Sequence, residues 1–194
     1  MGGNPNFLNP LSRNGCVGYL KEILKNNSRT LKRLYLGSSG LNFTGLRILK
    51  PTLLKLTDLT ELDLSRNSHL DSKGWSLFAD ILKNLKNKEL LKLFLADNNI
   101  DSNSFISILE QLKKYPFLKY LNFCGNHITS KIMDSLIEVL MRINIRRLFL
   151  SNCRINNSVF TILLNFIREN EAKLDSLVSL SLALNEFDNN IVGK

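Results

Sequence analysis

Cysteine and histidine are the residues with the clearest capacity for metal binding or nucleophilic chemistry in this chain of 194 residues. Cys124 and His127 stand in the run Cys-Gly-Asn-His, which resembles half of a zinc site. The other candidates, Cys16, Cys153 and His69, stand at no suitable spacing, so no second pair completes the site. A glycine-rich phosphate loop and a serine-centred nucleophile motif are also absent from the sequence. We therefore expect no metal, no cofactor and no enzymatic activity.

Asparagine side chains offer a second kind of chemistry, the pairing of backbone groups. An amide both donates and accepts hydrogen bonds, so it can satisfy backbone groups that a turn would leave unpaired. Four asparagines recur at corresponding places in the chain, and a serine and a cysteine stand at two further places of the same kind. We expect these six residues to form a structural ladder: Ser39, Asn67, Asn98, Asn126, Cys153 and Asn185.

Each of these residues is the ninth of an eleven-residue phrase, leucine-x-x-leucine-x-leucine-x-x-asparagine-x-apolar, which occurs six times. The copies begin at Leu31, Leu59, Leu90, Leu118, Ile145 and Leu177. The interval between starts is 27 to 32 residues, which is enough for a short strand, a turn and a helix. Six matches in register are typical of a leucine-rich repeat.

The segments between the phrases have a helical pattern. In one of them, apolar residues recur at positions i, i+3, i+4 and i+7: Phe105, Ile108, Leu109 and Leu112. Residues suited to cap a helix precede three of the segments: Asp71, Asp101 and Thr129. Pro51 stands inside the first segment, where we expect it to kink or restart the helix.

The long period, a helix in each repeat and Asn or Cys at the ninth position resemble the ribonuclease-inhibitor-like class of leucine-rich-repeat proteins. The resemblance covers about residues 14–187. It implies a curved α/β solenoid of about six repeats, a horseshoe with a parallel sheet on the concave face and helices on the convex face. That class includes enzyme inhibitors, innate immune receptors, bacterial effectors and Ran GTPase-activating proteins. Two stretched repeats depart from its regular alternation.

The domain organisation that we predict is one leucine-rich-repeat domain over residues 1–194, with residues 1–30 as a partial N-terminal repeat or cap. Residues 16–24 resemble a repeat helix, and residues 4–7 resemble the end of an earlier phrase. After Phe187 there is no room for another helix. Because solenoids need polar caps on their terminal repeats, we expect neighbouring repeats or domains in a longer chain, or edges that pair with another molecule.

The concave face is the candidate binding site. Side chains alternate along a strand, so the third and fifth residues of each phrase face away from the core. In the first five phrases these are Arg33, Tyr35, Glu61, Asp63, Lys92, Phe94, Tyr120, Asn122, Arg147 and Phe149. Tyr, Phe and Arg are enriched at protein interfaces, although Tyr and Phe also favour strands for local reasons.

Charge constrains the class of partner. The net charge is +9, and the concave strands with their flanks carry seven basic residues: Lys32, Arg33, Arg66, Lys92, Lys119, Arg146 and Arg147. This balance favours an acidic partner. Nucleic acid is disfavoured, because the helical segments are basic too and no nucleic-acid-binding motif occurs.

These observations predict a non-catalytic module that binds a protein on its concave sheet. One alternative is a regulator of a small GTPase, as the resemblance to the Ran GTPase-activating proteins allows, with Arg66, Asn99 and Arg154 at the rim. A second alternative is a structural segment of a larger receptor or effector. Unpaired cysteines and the lack of a signal peptide or an apolar run of about 20 residues predict an intracellular, cytoplasmic protein without membrane insertion.

Overall fold

Helices and strands alternate through residues 14–188, the part of the chain that the computed structural model describes. The helices are α1 Asn14–Asn26, α2 Phe43–Leu53, α3 Ser72–Asn84, α4 Ser102–Leu112, α5 Ser130–Leu140 and α6 Asn157–Glu169. The strands are β1 Arg33–Tyr35, β2 Glu61–Asp63, β3 Lys92–Phe94, β4 Tyr120–Asn122, β5 Arg147–Phe149 and β6 Ser179–Ser181. A single 3₁₀ turn, Glu171–Lys173, lies between α6 and β6.

The six strands form one parallel sheet in the order β1-β2-β3-β4-β5-β6. Each strand pairs with the next without any offset, so that Leu34, Leu62 and Leu93 follow one another across the sheet. Every helix returns the chain to the start of the next strand. This arrangement confirms the leucine-rich-repeat solenoid that the phrase predicts.

The core lies between the sheet and the helices. In the third repeat the first, fourth and sixth residues of the phrase, Leu90, Leu93 and Leu95, are fully buried. All four apolar residues predicted for the inner face of α4 are fully buried as well. The corresponding positions of the last repeat, Leu177, Leu180 and Leu182, are only half-buried, since a terminal strand has a neighbour on one side alone.

Five helices begin at a side-chain cap that accepts a hydrogen bond from a backbone N–H in the first turn. Asp71, Asp101 and Thr129 act as the sequence predicts, and Asn42 and Asn156 do the same for α2 and α6. Each cap satisfies an N–H that has no partner within its helix. The caps define where each turn ends and each helix starts.

The structure contradicts the expectation that Pro51 restarts its helix. Helix α2 continues through Pro51 to Leu53, and the N–H of Leu54 donates to the carbonyl of Lys50 at 3.1 Å across the proline. Pro51 is exposed and stands in the last turn, so it removes only one helical hydrogen bond.

The first residues of the chain, including residues 4–7 of the proposed earlier phrase, lie outside the described part.

One backbone conformation recurs in the turn after every strand. The eighth residue of each phrase has a positive φ, between 54° and 68°: Ser38, Arg66, Asp97, Gly125, Asn152 and Leu184. Gly125 is the only glycine among them, and a Cβ atom there would lie 2.0 Å from the Oδ1 atom of Asp97. The turn that contains Gly125 therefore packs closely against the preceding turn at Asp97.

Between residues 14 and 188, no helix combines the length and the apolar character that crossing a membrane requires.

Candidate functional site

The asparagine column, which we define as Asn67, Asn98, Asn126 and Asn185, runs through the interior beneath the turns. Asn98 Nδ2 donates to the carbonyl of Leu95 in its own repeat at 2.9 Å and to that of Leu64 in the preceding repeat at 3.0 Å. Its Oδ1 accepts from the backbone N–H of Asn67 at 2.7 Å. The other three asparagines make the same two Nδ2 bonds, and their Oδ1 atoms accept from the ninth or the eleventh residue of the preceding phrase. Each amide therefore ties one turn to the previous one.

Ser39 and Cys153 stand at the two corresponding positions that lack an asparagine. Ser39 Oγ donates to the carbonyl of Leu36 at 2.7 Å, and Cys153 Sγ donates to that of Phe123 at 3.3 Å. Burial raises the pKa of the Cys153 thiol to about 12, so the thiol keeps its proton. Asn185 Oδ1 accepts from the backbone N–H groups of Cys153 and Ile155, so the asparagine of the sixth repeat holds the fifth turn.

The concave face consists of two rows of side chains that the parallel register aligns across the strands. The third phrase residues form one row: Arg33, Glu61, Lys92, Tyr120, Arg147 and Ser179. The fifth phrase residues form the other: Tyr35, Asp63, Phe94, Asn122, Phe149 and Ser181. Residues on neighbouring strands meet both along a row and diagonally between the rows.

In the N-terminal half of this face, charges are paired with one another. The Tyr35 hydroxyl donates to Glu61 Oε2 at 2.5 Å, and Lys92 Nζ lies 2.9 Å from Glu61 Oε1. The bond from Tyr35, together with Lys92, holds the pKa of Glu61 below its ordinary value, and the same bond raises the pKa of Tyr35. Glu61 therefore stays ionised and engaged. The ring of Tyr35 remains 57% exposed.

From β3 to β5, three aromatic rings form a continuous stack. The ring centroids of Phe94 and Tyr120 are 4.7 Å apart, and those of Tyr120 and Phe149 are 5.0 Å apart. All three residues are half-buried. The stack zigzags, because Tyr120 belongs to the first row and its neighbours to the second. The four concave aromatics thus differ in setting, with Tyr35 bonded to Glu61 and the other three packed together.

Beside the stack lies a depression of about 480 Å³, the cationic groove, lined by Lys92, Phe94, Lys119, Tyr120, Arg146, Arg147 and Val178. None of these lining residues is a carboxylate. Lys119 Nζ donates to the carbonyl of Asn144 at 3.1 Å. The side chains of Arg146 and Arg147 are exposed and make no hydrogen bond or ion pair within the described part of the chain.

Burial raises the pKa of Tyr120, which the nearby charges of Arg147 and Lys92 oppose. Its hydroxyl thus remains a donor at the wall of the groove. Val178 is 67% exposed and was not among the predicted site residues. Val178 is the second residue of its phrase, as Lys119 and Arg146 are of theirs. Aligning the second residues of the phrases would therefore have identified Val178 as a neighbour of the site.

Two of the predicted site residues, Asp63 and Asn122, use their side chains to accept hydrogen bonds from the turns that follow their strands. Asp63 Oδ1 accepts from the backbone N–H of Ser65 at 2.7 Å, and Asn122 Oδ1 accepts from that of Cys124 at 3.0 Å. Both side chains therefore support the start of a turn. A short polar side chain commonly accepts from the backbone N–H two residues later where a turn begins. This pattern is present in the sequence at both positions.

The residues considered for other chemistry lie apart from the groove. Arg66, Asn99 and Arg154 all have a positive φ in their turns, and Arg66 Nε lies 3.4 Å from Asp97 Oδ2. Arg66 is thus engaged with its neighbour in the stack of turns. Within residues 14–188, no group of three or more His, Cys, Asp or Glu residues is arranged to hold a metal ion.

Sequence comparison finds similar segments in two much longer proteins. No family model matches the chain. It is 33% identical over 171 residues to the NACHT, LRR and PYD domains-containing protein 5 of Bos taurus, covering 87% of this chain and 15% of that protein. It is 30% identical over 162 residues to the NACHT, LRR and PYD domains-containing protein 14 of Mus musculus, covering 69% of this chain and 16% of that protein. The chain thus spans about a sixth of the curated relatives' length.

Comparison with solved structures finds the same fold. Leiomodin-1 actin-binding site 2 matches with a TM-score of 0.59 at 20% identity, over 88% of this chain and 92% of that one. The tropomodulin C-terminal domain of Caenorhabditis elegans matches with a TM-score of 0.59 at 10% identity, over 81% and 95%. The sequence relatives carry leucine-rich repeats by name and each unit here joins one strand to one helix, so this chain is a leucine-rich-repeat protein.

Proposed function

We propose that this chain is a non-catalytic module that binds a protein ligand on its concave sheet. The observation that carries the proposal is the aromatic stack of Phe94, Tyr120 and Phe149 beside the cationic groove. Strand propensity explains the presence of aromatic residues in strands. It does not explain why three of them pack into one half-exposed surface next to four cations.

The stack has the properties of an interface anchor. Aromatic and arginine side chains at the centre of a patch contribute most to binding, because they bury a large area with little loss of conformational freedom. In this proposal Tyr35, Phe94, Tyr120 and Phe149 are anchors. Arg33, Lys92 and Arg147 orient an acidic patch on the partner.

The similar proteins support such a use without naming the ligand. The name of the leiomodin-1 domain records an actin-binding site, so a solenoid of this fold can serve protein binding. The names of the sequence relatives record NACHT and PYD domains beside their repeats. We infer that residues 1–194 form one repeat domain with neighbouring repeats or domains in a longer, intracellular chain.

Comparative affinity purification tests the proposal. The baits are the wild-type chain, a Tyr35→Ala/Phe94→Ala/Phe149→Ala variant and a Tyr19→Ala/Phe117→Ala control. Tyr19 and Phe117 are exposed aromatics outside the sheet, so the control matches the first variant in residue type. A cooperative melting transition well above the assay temperature for all three baits would establish that each is folded.

We expect a protein that the wild type and the control retain and the concave variant loses. Equal recovery by all three baits would place the binding site elsewhere on the molecule. Recovery of no specific protein by any bait would support a structural segment of a larger receptor or effector instead.

A further inference from the structure

We propose that the cationic groove binds an extended acidic segment of the partner, in which an apolar residue stands among aspartates or glutamates. The inference rests on the proposed function and specifies the ligand chemistry of its site. Four features carry it: the unpaired arginines, the donors that surround them, the apolar walls and the limited extent of the charge.

The two groove arginines differ from those helical lysines that have carboxylate partners. Lys50 pairs with Asp80 at 2.6 Å, and Lys113 pairs with both Glu110 and Glu138. Arg146 and Arg147, by contrast, occupy adjacent positions among the residues that line the groove, and no carboxylate is among those lining residues. Close like charges are unfavourable without a counter-charge, so the groove has its most favourable electrostatic energy when an anionic group occupies it.

The donors in the groove suit carboxylates. The guanidinium of arginine binds a carboxylate through two parallel N–H bonds, which gives direction as well as strength. Lys119 and the protonated hydroxyl of Tyr120 add single donors from the neighbouring strand and its flank. Several carboxylates in one segment can therefore be held at once.

The apolar walls of the groove specify what stands beside the acidic residues. Phe94 and Tyr120 form one side, and Val178 forms another with two thirds of its surface exposed. An aliphatic or aromatic side chain that packs between them removes this surface from water. The volume of about 480 Å³ lies within the range of sites for small ligands, about 300–1,000 Å³. It therefore accommodates a short segment rather than a broad folded surface.

The charge of the face ends on both sides of the groove, which favours a peptide over a nucleic acid. Towards the N-terminus, Glu61 and Asp63 bring negative charge to the neighbouring strand. Towards the C-terminus, Ser179 and Ser181 are uncharged. A single-stranded nucleic acid needs a positive track along its backbone. The groove instead offers one confined cluster of cations.

Fluorescence anisotropy with labelled peptides tests the inference. The probe contains Glu-Glu-Leu-Glu-Glu, its control contains Gln-Gln-Leu-Gln-Gln, and a short oligothymidylate represents nucleic acid. The proteins are the wild type, an Arg146→Gln/Arg147→Gln variant and an Arg47→Gln/Arg168→Gln control. Arg47 and Arg168 are exposed helical arginines, so both variants lose the same charge.

We expect the acidic peptide to bind the wild type, and the groove variant to bind it about tenfold more weakly, which corresponds to about 1.4 kcal/mol. The control variant should stay within about twofold of the wild type, since distant charges are screened at physiological salt. Equal binding of the Gln peptide, or equal losses in both variants, would overturn the inference. Tighter binding of the oligothymidylate that the groove variant abolishes would overturn it in favour of nucleic acid.

The outcomes of the purification and of the anisotropy experiment distinguish an error in the groove inference from an error in the proposed function. If the acidic peptide does not bind but the concave variant still loses a captured protein, the groove inference is wrong and the proposed function stands. If all purification baits capture the same proteins, the proposed function is wrong whatever the peptide does.

Discussion

The asparagine column and the concave face are built from the same six repeats but use them in opposite ways. Along the column, each asparagine makes the same bonds to its own and the preceding repeat. Along the face, one position holds an arginine, a glutamate, a lysine or a tyrosine in successive repeats. Uniform contacts maintain the solenoid, and varied ones form a particular surface. Variants of the column should therefore change stability, and variants of the face should change binding.

The largest loss of stability should follow from Asn98→Ala. The substitution leaves the carbonyls of Leu64 and Leu95 and the N–H of Asn67 without this partner in the interior, at a cost of about 1–3 kcal/mol. Urea denaturation measures the change in the free energy of unfolding. Asn185→Ala is the matched control, because its site is half-buried and water can replace part of its bonds. Equal losses at the two positions would contradict the role of burial.

Gly125→Ala should destabilise the fold by about 1–2 kcal/mol, because alanine is strained at a φ of 68° and its Cβ would displace the Asp97 carboxylate. Thermal denaturation measures the shift in midpoint. Gly18→Ala provides the opposite control, since no atom lies within 4 Å of a Cβ there and the residue is helical. It should stabilise the protein by about 0.5–1 kcal/mol. If Gly125→Ala leaves the midpoint of thermal denaturation unchanged, the turn must shift to accommodate the added methyl group.

Tyr120→Ala should affect both the stability of the fold and the binding of the partner. Loss of two ring contacts should lower the free energy of unfolding by about 1 kcal/mol. Loss of the central anchor should weaken the affinity for the partner by more than about tenfold. Chemical denaturation and a titration against the captured partner measure the two effects. Tyr120→Phe should keep the stability, because its ring stays in the stack. If Tyr120→Ala destabilises the fold and leaves binding unchanged, the stack is structural.

The smallest effect should be a change in the pH dependence of stability caused by Glu61→Gln. The pKa of Glu61 is depressed in the folded protein, first by the bond from Tyr35. Its stabilising contribution is therefore complete above the unfolded value of about 4.3 and is lost as the pH falls through the folded pKa. For an ion pair near the surface we expect less than about 1 kcal/mol.

Denaturation of the wild type and the Glu61→Gln variant at a series of pH values measures this difference. The two free energies of unfolding should converge below the folded pKa and separate as the pH rises above it. A difference that stays constant with pH would mean that the ionisation of Glu61 does not contribute.

Much of the fold was predictable from the sequence because the repeat is periodic. The burial of Leu90, Leu93 and Leu95 follows from a pattern of apolar residues that recurs in every phrase. Pro51 was misjudged, since the cost of a proline depends on its position in the helix, and the end of α2 was not evident from the sequence. The caps Asn42 and Asn156 were missed, because a sequence rich in asparagine offers many candidates for each helix start.

The phrase by itself determined the strands, the interior positions and the rows that face outward, because these follow from local periodicity and from the alternation of side chains along a strand. Which neighbours those outward residues have depends instead on how the strands pair in the folded protein. Tyr35 reaches Glu61, and Tyr120 packs between Phe94 and Phe149, because parallel pairing without offset brings diagonal residues of adjacent repeats together. That Arg146 and Arg147 have no carboxylate partner among residues 14–188 is likewise a property of the assembled sheet, since it depends on where the carboxylates lie in space.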